Sequence, residues 1–326
     1  MQLERNPQMT VFHYDLNELV SKEHELRKID ALVSFKQIAK TFAELEKETG
    51  RKGYGVEVGI KCIFLQFYYD LSDRQMERQI ADALSYRWFT GIELSEQTPD
   101  HSYFGRIRKL LGTKRIGKIF EMVNAKAREK KIFRDVFSFV DSSAIKSKEA
   151  TWDERDKAIK EGEEKLNNDN IDKHSADKDA RFGCKGKKKF WYGYKKHVSV
   201  DMGSGLIEKV AITPANVTDA KGLKHVCPKE RMVFGDKGYS TNDSQGVMKK
   251  RLCHSGAILK NNMKGKNKER DRWISKVRAP FENIFSKQSK RAKYRSTAKV
   301  QLQAFMESMV TNVKRLLVIN APPLFA

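Results

Sequence analysis

The chain has 326 residues, 39% hydrophobic and 10% aromatic, which suits about two domains with real cores and excludes wholesale disorder. Its formal net charge of +22 points to a polyanionic partner, and half of the excess lies between Lys260 and Lys299, where 14 Lys and Arg meet only three acids. The four cysteines have no CxxC spacing, no apolar run approaches the ~18 residues of a membrane span, and MQLERNPQ is no signal peptide, so a zinc ribbon, a membrane protein and a secreted protein are all disfavoured and a cytoplasmic, nucleoid-associated location is expected.

Up to about Lys130 the pattern is helical. The segment 56–70, VEVGIKCIFLQFYYD, is apolar nearly all round and predicts a buried helix. Ser72, three residues before Gln75, has capping-box spacing and opens a helix in which Met76, Ile80 and Leu84 share one face. A further helix over 98–112 has Asp100 or Ser102 as cap, Phe104, Ile107 and Leu111 as its apolar stripe, and Gly112 as its end. Arg106, Arg108 and Lys109 lie off that stripe. Two helices joined by a short turn and followed by a basic helix suit DNA reading in the manner of a helix-turn-helix, and an ordinary bundle with charged outer faces suits the same pattern equally well.

From Phe133 the period changes to that of strands. DVFSFVD is strand-like, and the charged segment at about 146–180 has no core pattern and reads as an exposed insertion, partly helical around Trp152–Lys165. Residues 191–201 and 206–213 alternate as strands about the turn GSG and predict a hairpin. A helix over 216–225, short strands at 231–236 and 256–260, and a long C-terminal helix over 298–318 complete the order. Strands alternating with helices in this way predict an α/β architecture, a mixed sheet flanked by helices, in residues 131–326, behind a helical domain in residues 1–130 for which a DNA-binding role and an ordinary bundle both stay open.

Two strands in this order end on a single anion. FSFVDSS stops at Asp141 and MVFGDKG at Asp236, 95 residues later, and in such a sheet neighbouring strand ends converge on one crevice. Two carboxylates held close repel one another and lose hydration, so protons or cations must compensate. Two Mg²⁺ (or Mn²⁺) ions meet that need, since hard cations prefer carboxylate oxygen, and together they can activate water and stabilise the leaving oxygen of a phosphodiester. A third carboxylate is then wanted from the basic stretch. Glu269 and Asp271 sit in the polar run KNKERDRW, expected to be solvated, whereas Glu282 is embedded in VRAPFENIF. There Pro280 fits a first helical turn, and Phe281 and Phe285 can lock the helix against the sheet. Each acid alone reads more readily as a turn, cap or helix-dipole residue, and it is the three in this order, in a chain of charge +22, that tip the balance. His197, on the strand YKKHVSV, reads more readily as a packed core residue than as a group near the metals.

These motifs also carry a resemblance. YYDLSDRQMERQIADALSYRWFTGIELSEQTPDHSYFGRIRKLLG, DKDARFGCKGKKKFWYGYKKHVSVD, GLIEKVAITPANVTDA, GDKGYS and RWISKVRAPFENIF together resemble successive blocks of DDE transposases of bacterial insertion sequences, of the family numbered five in the insertion-sequence-four-like group. The likeness runs over nearly the whole chain. It implies an RNase H-like catalytic fold with Asp141, Asp236 and Glu282 as catalytic and metal-binding residues. It further implies terminal inverted repeats and target DNA as double-stranded partners, and a homodimer or larger synaptic complex. Of the related signature around the glutamate, Arg278 and Glu282 match, while Ser275 stands where Tyr is expected and Ser289 where Lys is expected, with Lys287 and Lys290 beside it. Lys237, Arg278, Lys287 and Lys290, with Arg106, Arg108 and Lys109, are the expected DNA contacts. The expected reaction is metal-dependent cleavage at the element's ends followed by strand transfer. A nuclease of the same fold that cuts without joining, and a DNA-binding relic, are the alternatives.

Overall fold

The computed structural model describes residues 15–45, 53–148, 152–163, 165–185, 189–286 and 288–325; within these the side chains of 152–154, 282, 283, 285 and 286 are left aside. The chain divides into two compact units between Leu110 and Leu111, with Phe325–Ala326 counted in the first. Among the described residues no helix is long and apolar enough to cross a membrane.

The first unit is helical: α1 (Leu16–Leu19), α2 (Glu25–Leu32), α3 (Phe35–Lys40), a 3-10 turn (Ala43–Leu45), α4 (Val56–Tyr68), α5 (Asp73–Asp82), α6 (Leu84–Thr90) and the start of α7 (His101–Glu129). Helix α4 is buried on nearly every side, as its continuous apolar run requires, and its Lys61 is satisfied by Asp30 and Glu57 at 3.2 and 3.0 Å. Ser72 and Gln75 form the reciprocal capping box. The helix that they open is shorter than its periodicity suggests. It ends at Asp82, so Leu84 begins α6 and is 40% exposed instead of joining Met76 and Ile80 in the core. Asp100 caps α7 through the Tyr103 amide. Gly112, at φ 62° and ψ 175°, breaks its helical path, but the chain resumes helix directly and runs on to Glu129.

The second unit is built on β1 (Phe137–Lys146), β2 (Arg181–Lys185), β3 (Lys189–Asp201), β4 (Ile207–Pro214), β5 (Met232–Gly235) and β6 (His254–Ala257). These form one mixed sheet in the order β2–β3–β1–β5–β6, with β4 also paired to β3. β1, β2 and β4 pair antiparallel with β3, whereas β1–β5 and β5–β6 are parallel. The remaining helices are α8 (Trp152–Lys160), α9 (Ile171–His174), α10 (Asp219–Val226), α11 (Asn242–Lys250), α12 (Lys268–Ser286) and α13 (Thr297–Val318). Strand alternation sends neighbours to opposite faces. Val140 and Val233 meet Leu223, Val226 and Met248 of α10 and α11 on one face; Phe139 and Phe234 meet Ile274 of α12 on the other. This is the α/β arrangement expected, a mixed sheet with a helical layer on each face, and it fits an RNase H-like fold.

The charged segment after β1 is not the exposed insertion that its composition suggests. Ala158, Ile171, His174, Asp177 and Ala180 are buried. The Asp177 carboxylate accepts from the Tyr194 hydroxyl at 2.6 Å and the Ser296 amide at 3.1 Å. Its buried positions are few and scattered among charged residues, with polar groups such as Asn170, Ser175 and Asp177 among them, which leaves no hydrophobic periodicity to read.

Candidate active site

The parallel pairing of β1 with β5 decides where the two aspartates lie. Phe139 is level with Phe234. Two residues further along each strand stand Asp141 and Asp236, so the chain brings two carboxylates 95 residues apart to adjacent positions on neighbouring strands. Asp141 lies mid-strand, opposite Val198 of β3, and Asp236 is the first residue beyond β5. Asp236 Oδ1 accepts from the Gly238 amide at 2.8 Å and so caps the 3-10 turn Lys237–Tyr239. Asp141 Oδ1 accepts from the Ser142 amide at 2.7 Å. Burial pushes the Asp141 carboxyl up to about 6. The Ser142 amide opposes that rise, the charge of Asp236 adds to it, and Arg278 and Lys185 oppose it from a distance. Two neighbouring carboxylates, of which Asp141 is desolvated, are a donor set that a hard divalent cation fits. Among the described residues no three of His, Cys, Asp and Glu stand together as a complete metal cage.

Helix α12 crosses behind these strands. Trp273 stacks edge-on against Phe234 of β5 at 6.0 Å, and Phe281 meets Phe139 of β1 at 6.3 Å. Arg278 is buried with its guanidinium 5.1 Å from the Phe139 ring, two residues before Asp141 in the chain. Glu282 follows Arg278 by four residues in the same helix, about 6 Å further along the axis. Pro280 does not open this helix. The start is at Lys268, where the Asn267 side chain caps the Glu269 and Arg270 amides at 2.9 and 3.0 Å, so Glu282 lies near the helix's C-terminal end. Nor is Asp271 solvated, because both its carboxylate oxygens are buried. Ser275, in the position where Tyr was expected, turns its hydroxyl back onto the Asp271 carbonyl at 2.9 Å, and Ser289 bonds the Arg291 carbonyl at 2.8 Å.

The expected DNA contacts divide. Arg106, Lys109, Lys237 and Lys290 are exposed, and Lys287 lies outside the described residues. Arg108 is committed inside the first unit: it forks onto Asp73 at 2.8 and 2.6 Å and reaches Gln66 at 3.0 Å. Arg278 is buried beside the aspartates and does not lie on an open surface. His197 is a core residue. It is fully buried under α10, with Nε2 2.9 Å from the Thr213 hydroxyl, and desolvation lowers its pKa to about 4.

One acid beside the pair escaped sequence reasoning. Asp219, the first residue of α10, accepts from the Ser142 hydroxyl at 2.7 Å and from Lys195 at 3.0 Å, both on Oδ1. Burial works to raise its pKa, and the Ser142 and Lys195 bonds more than reverse that, so Asp219 is held below the usual carboxylate range. The readable signal was the capping pair Thr218-Asp219 at the start of a helix that follows a sheet strand, a place where an acid usually serves the helix dipole.

A mixed sheet of this order, with helices on both faces, fits the RNase H-like class of fold. The comparisons specify which kind. Residues 133–313 match the family described as Transposase DDE domain, and residues 14–110 match the one described as Transposase domain (DUF772). The chain belongs to the DDE transposase family, and it is a DNA transposase of the insertion-sequence kind. It is 27% identical over 226 residues to the transposase for insertion sequence element IS1106 from Neisseria meningitidis serogroup B, covering 65% of this chain and 76% of that one. Among solved structures it is similar to the piggyBac transposase synaptic complex with hairpin DNA, at 8% identity and TM-score 0.38, over 91% of this chain and 76% of that one.

Proposed function

We propose that Asp141 and Asp236, with Glu282 as the third acid, are the carboxylates through which this transposase cuts the ends of its element and joins them to target DNA. The observation that carries this reading is the level placement of Asp141 and Asp236 on adjacent parallel strands, with Asp141 desolvated and raised by its neighbour's charge. When bound, a pair of Mg²⁺ or Mn²⁺ ions would activate the attacking water or 3′-hydroxyl and stabilise the leaving oxygen. The protein's part is to hold three carboxylates in fixed directions. Strand β1 and the Ser142 amide fix Asp141, the turn after β5 fixes Asp236, and the stacking of Trp273, Arg278 and Phe281 on the sheet fixes the helix that carries Glu282. Arg278 supplies a buried positive charge that offsets part of the repulsion between the carboxylates.

DNA is reached through exposed cations: Arg106 and Lys109 in the helical unit for the element's ends, and Lys237 and Lys290 in the sheet unit for the phosphates near the scissile bond. An element has two ends, and one chain presents one Asp141–Asp236 pair, so reaction at both ends calls for at least two copies. The test is conservative substitution. Asp141→Asn, Asp236→Asn and Glu282→Gln each keep shape and remove one anionic ligand. Each should lose metal-dependent nicking of element-end DNA by at least about a hundredfold while binding that DNA as wild type does. Near wild-type nicking by any one of them would remove that residue from the site, and activity in Glu282→Gln with loss in Asp271→Asn would transfer the third role to Asp271.

A further inference from the structure

We propose that Asp219 is a positioning residue of this site: it fixes the stretch of β1 that carries Asp141 and adds the negative charge that makes the cleft hold divalent cations tightly. The proposal rests on the reading of Asp141 and Asp236 given above. Its geometry begins at Ser142, the residue after Asp141, whose side chain leaves the opposite face of β1. The Ser142 hydroxyl is held by Asp219 at 2.7 Å, while its amide holds Asp141 Oδ1 at 2.7 Å. Anchoring the hydroxyl therefore sets the peptide that aims Asp141. Asp219 is itself anchored by Lys195 of β3, two residues from His197, which is the register partner of Ser142. The same carboxylate also reaches toward the end of β5. A Cβ built on Gly238 would lie 2.9 Å from Asp236 Oδ1 and 3.5 Å from Asp219 Oδ2, so those two oxygens flank one point in space. Asp219 thus touches the surroundings of both aspartates, and the buried Tyr239 beneath them lies in the field of all three carboxylates.

A structural role would not require the charge. An asparagine at 219 could accept from the Ser142 hydroxyl and Lys195 through its own Oδ1 and keep the local shape. The Ser142 and Lys195 bonds hold Asp219 as an anion in the empty fold, so its charge stands beside the two aspartates and adds to the pull of the cleft on a cation. Residues that orient or charge a metal site from behind its ligands typically change metal affinity or activity 10–100-fold when replaced.

The experiment uses the full chain and Mn²⁺ alone as probe, with binding followed by titration calorimetry and by the rise in melting temperature, beside nicking measured over a Mn²⁺ series. Asp219→Asn should melt near wild type without metal, yet need about 10–100-fold more Mn²⁺ both to bind and to reach half its nicking rate. Ser142→Ala should move the same way by less, and the double variant should show less than the product of the two effects, because both act on one contact. Asp141→Asn is the reference and should abolish Mn²⁺ binding. If Asp141→Asn abolishes binding while Asp219→Asn binds Mn²⁺ as wild type does, the role proposed for Asp219 is wrong and the site stands. If Asp141→Asn itself binds Mn²⁺ normally, the reading of the site beneath it falls.

Discussion

Gly222→Ala sets two effects of known size against each other. Gly222 lies inside α10, where replacing glycine with alanine favours the helix by about 1 kcal/mol. Against that, the new Cβ would stand 2.1 Å from Cε1 of His197 and 2.4 Å from both ring nitrogens. Ordinary carbon contacts are about 3.5–4 Å, so ring or helix must give way by more than about 1 Å. The ring has little room to yield, being fully buried and tied to Thr213 at 2.9 Å. Overpacking a well-filled site costs about 1–3 kcal/mol, and a clash this deep belongs at the upper end, so sterics should win, leaving a net destabilisation of up to about 2 kcal/mol and a melting temperature lower by a few degrees. Gly246→Ala in α11 is the control, because its Cβ would meet nothing within 4 Å, and it should stabilise by up to about 1 kcal/mol. Urea denaturation of both variants reads the signs. Nicking reads the consequence: a helix pushed off His197 carries Asp219 away from Ser142, and a displacement of that order can cost about a hundredfold in rate. If Gly222→Ala were as stable as Gly246→Ala and fully active, the packing of α10 on β3 would be wrong.

Arg106→Ala should weaken binding to element-end DNA with little effect on melting, whereas Arg108→Ala, which removes both charged hydrogen bonds to Asp73 and leaves it only Gln66, should destabilise the helical unit by about 1.5–3 kcal/mol; the reverse pattern in melting and binding assays would exchange their roles. Binding of duplex DNA should fall steeply between about 50 and about 200 mM salt, as the +22 charge and its cluster around α12 require, and a titration flat in salt would contradict a phosphate-dominated interface. His197 is held neutral in the fold with its pKa lowered to about 4, from about 6.5 when unfolded, so the unfolded chain binds the proton more readily between those values. Its contribution is intact above pH 6.5 and is lost as pH falls toward 4, by about 3 kcal/mol, and His197→Gln should flatten that part of the stability profile relative to wild type. An unchanged slope would mean that His197 is hydrated.

The difference between Asp141 or Asp236 and Asp219 shows what a sequence exposes and what it conceals. The first two end apolar runs, and a buried apolar run that breaks off at a lone anion violates local expectation strongly enough to demand a partner, even though β1 itself continues to Lys146. Asp219 violates nothing: an acid in the first turn after a threonine cap is what any helix favours, so its contact with Ser142 is visible only once β1 and α10 are side by side. The same reasoning separates Arg106 from Arg108. Both lie off the apolar stripe, and nothing in their spacing says that Asp73, 35 residues upstream, is waiting for one of them. Glu282 illustrates a third case. Its choice over Asp271 rested on apolar neighbours, and the helix does pin Phe281 to Phe139, yet the start of that helix was misplaced by about 12 residues because Pro280 outweighed the quieter Asn267 cap. Proline at a first turn is a strong local signal, but a helix packed on a sheet through Ile274 and Arg278 can carry a proline on its exposed side, where the missing amide is the smaller loss. Local rules therefore located the two carboxylates that break them, while long-range pairing located the residues whose local role already looked complete.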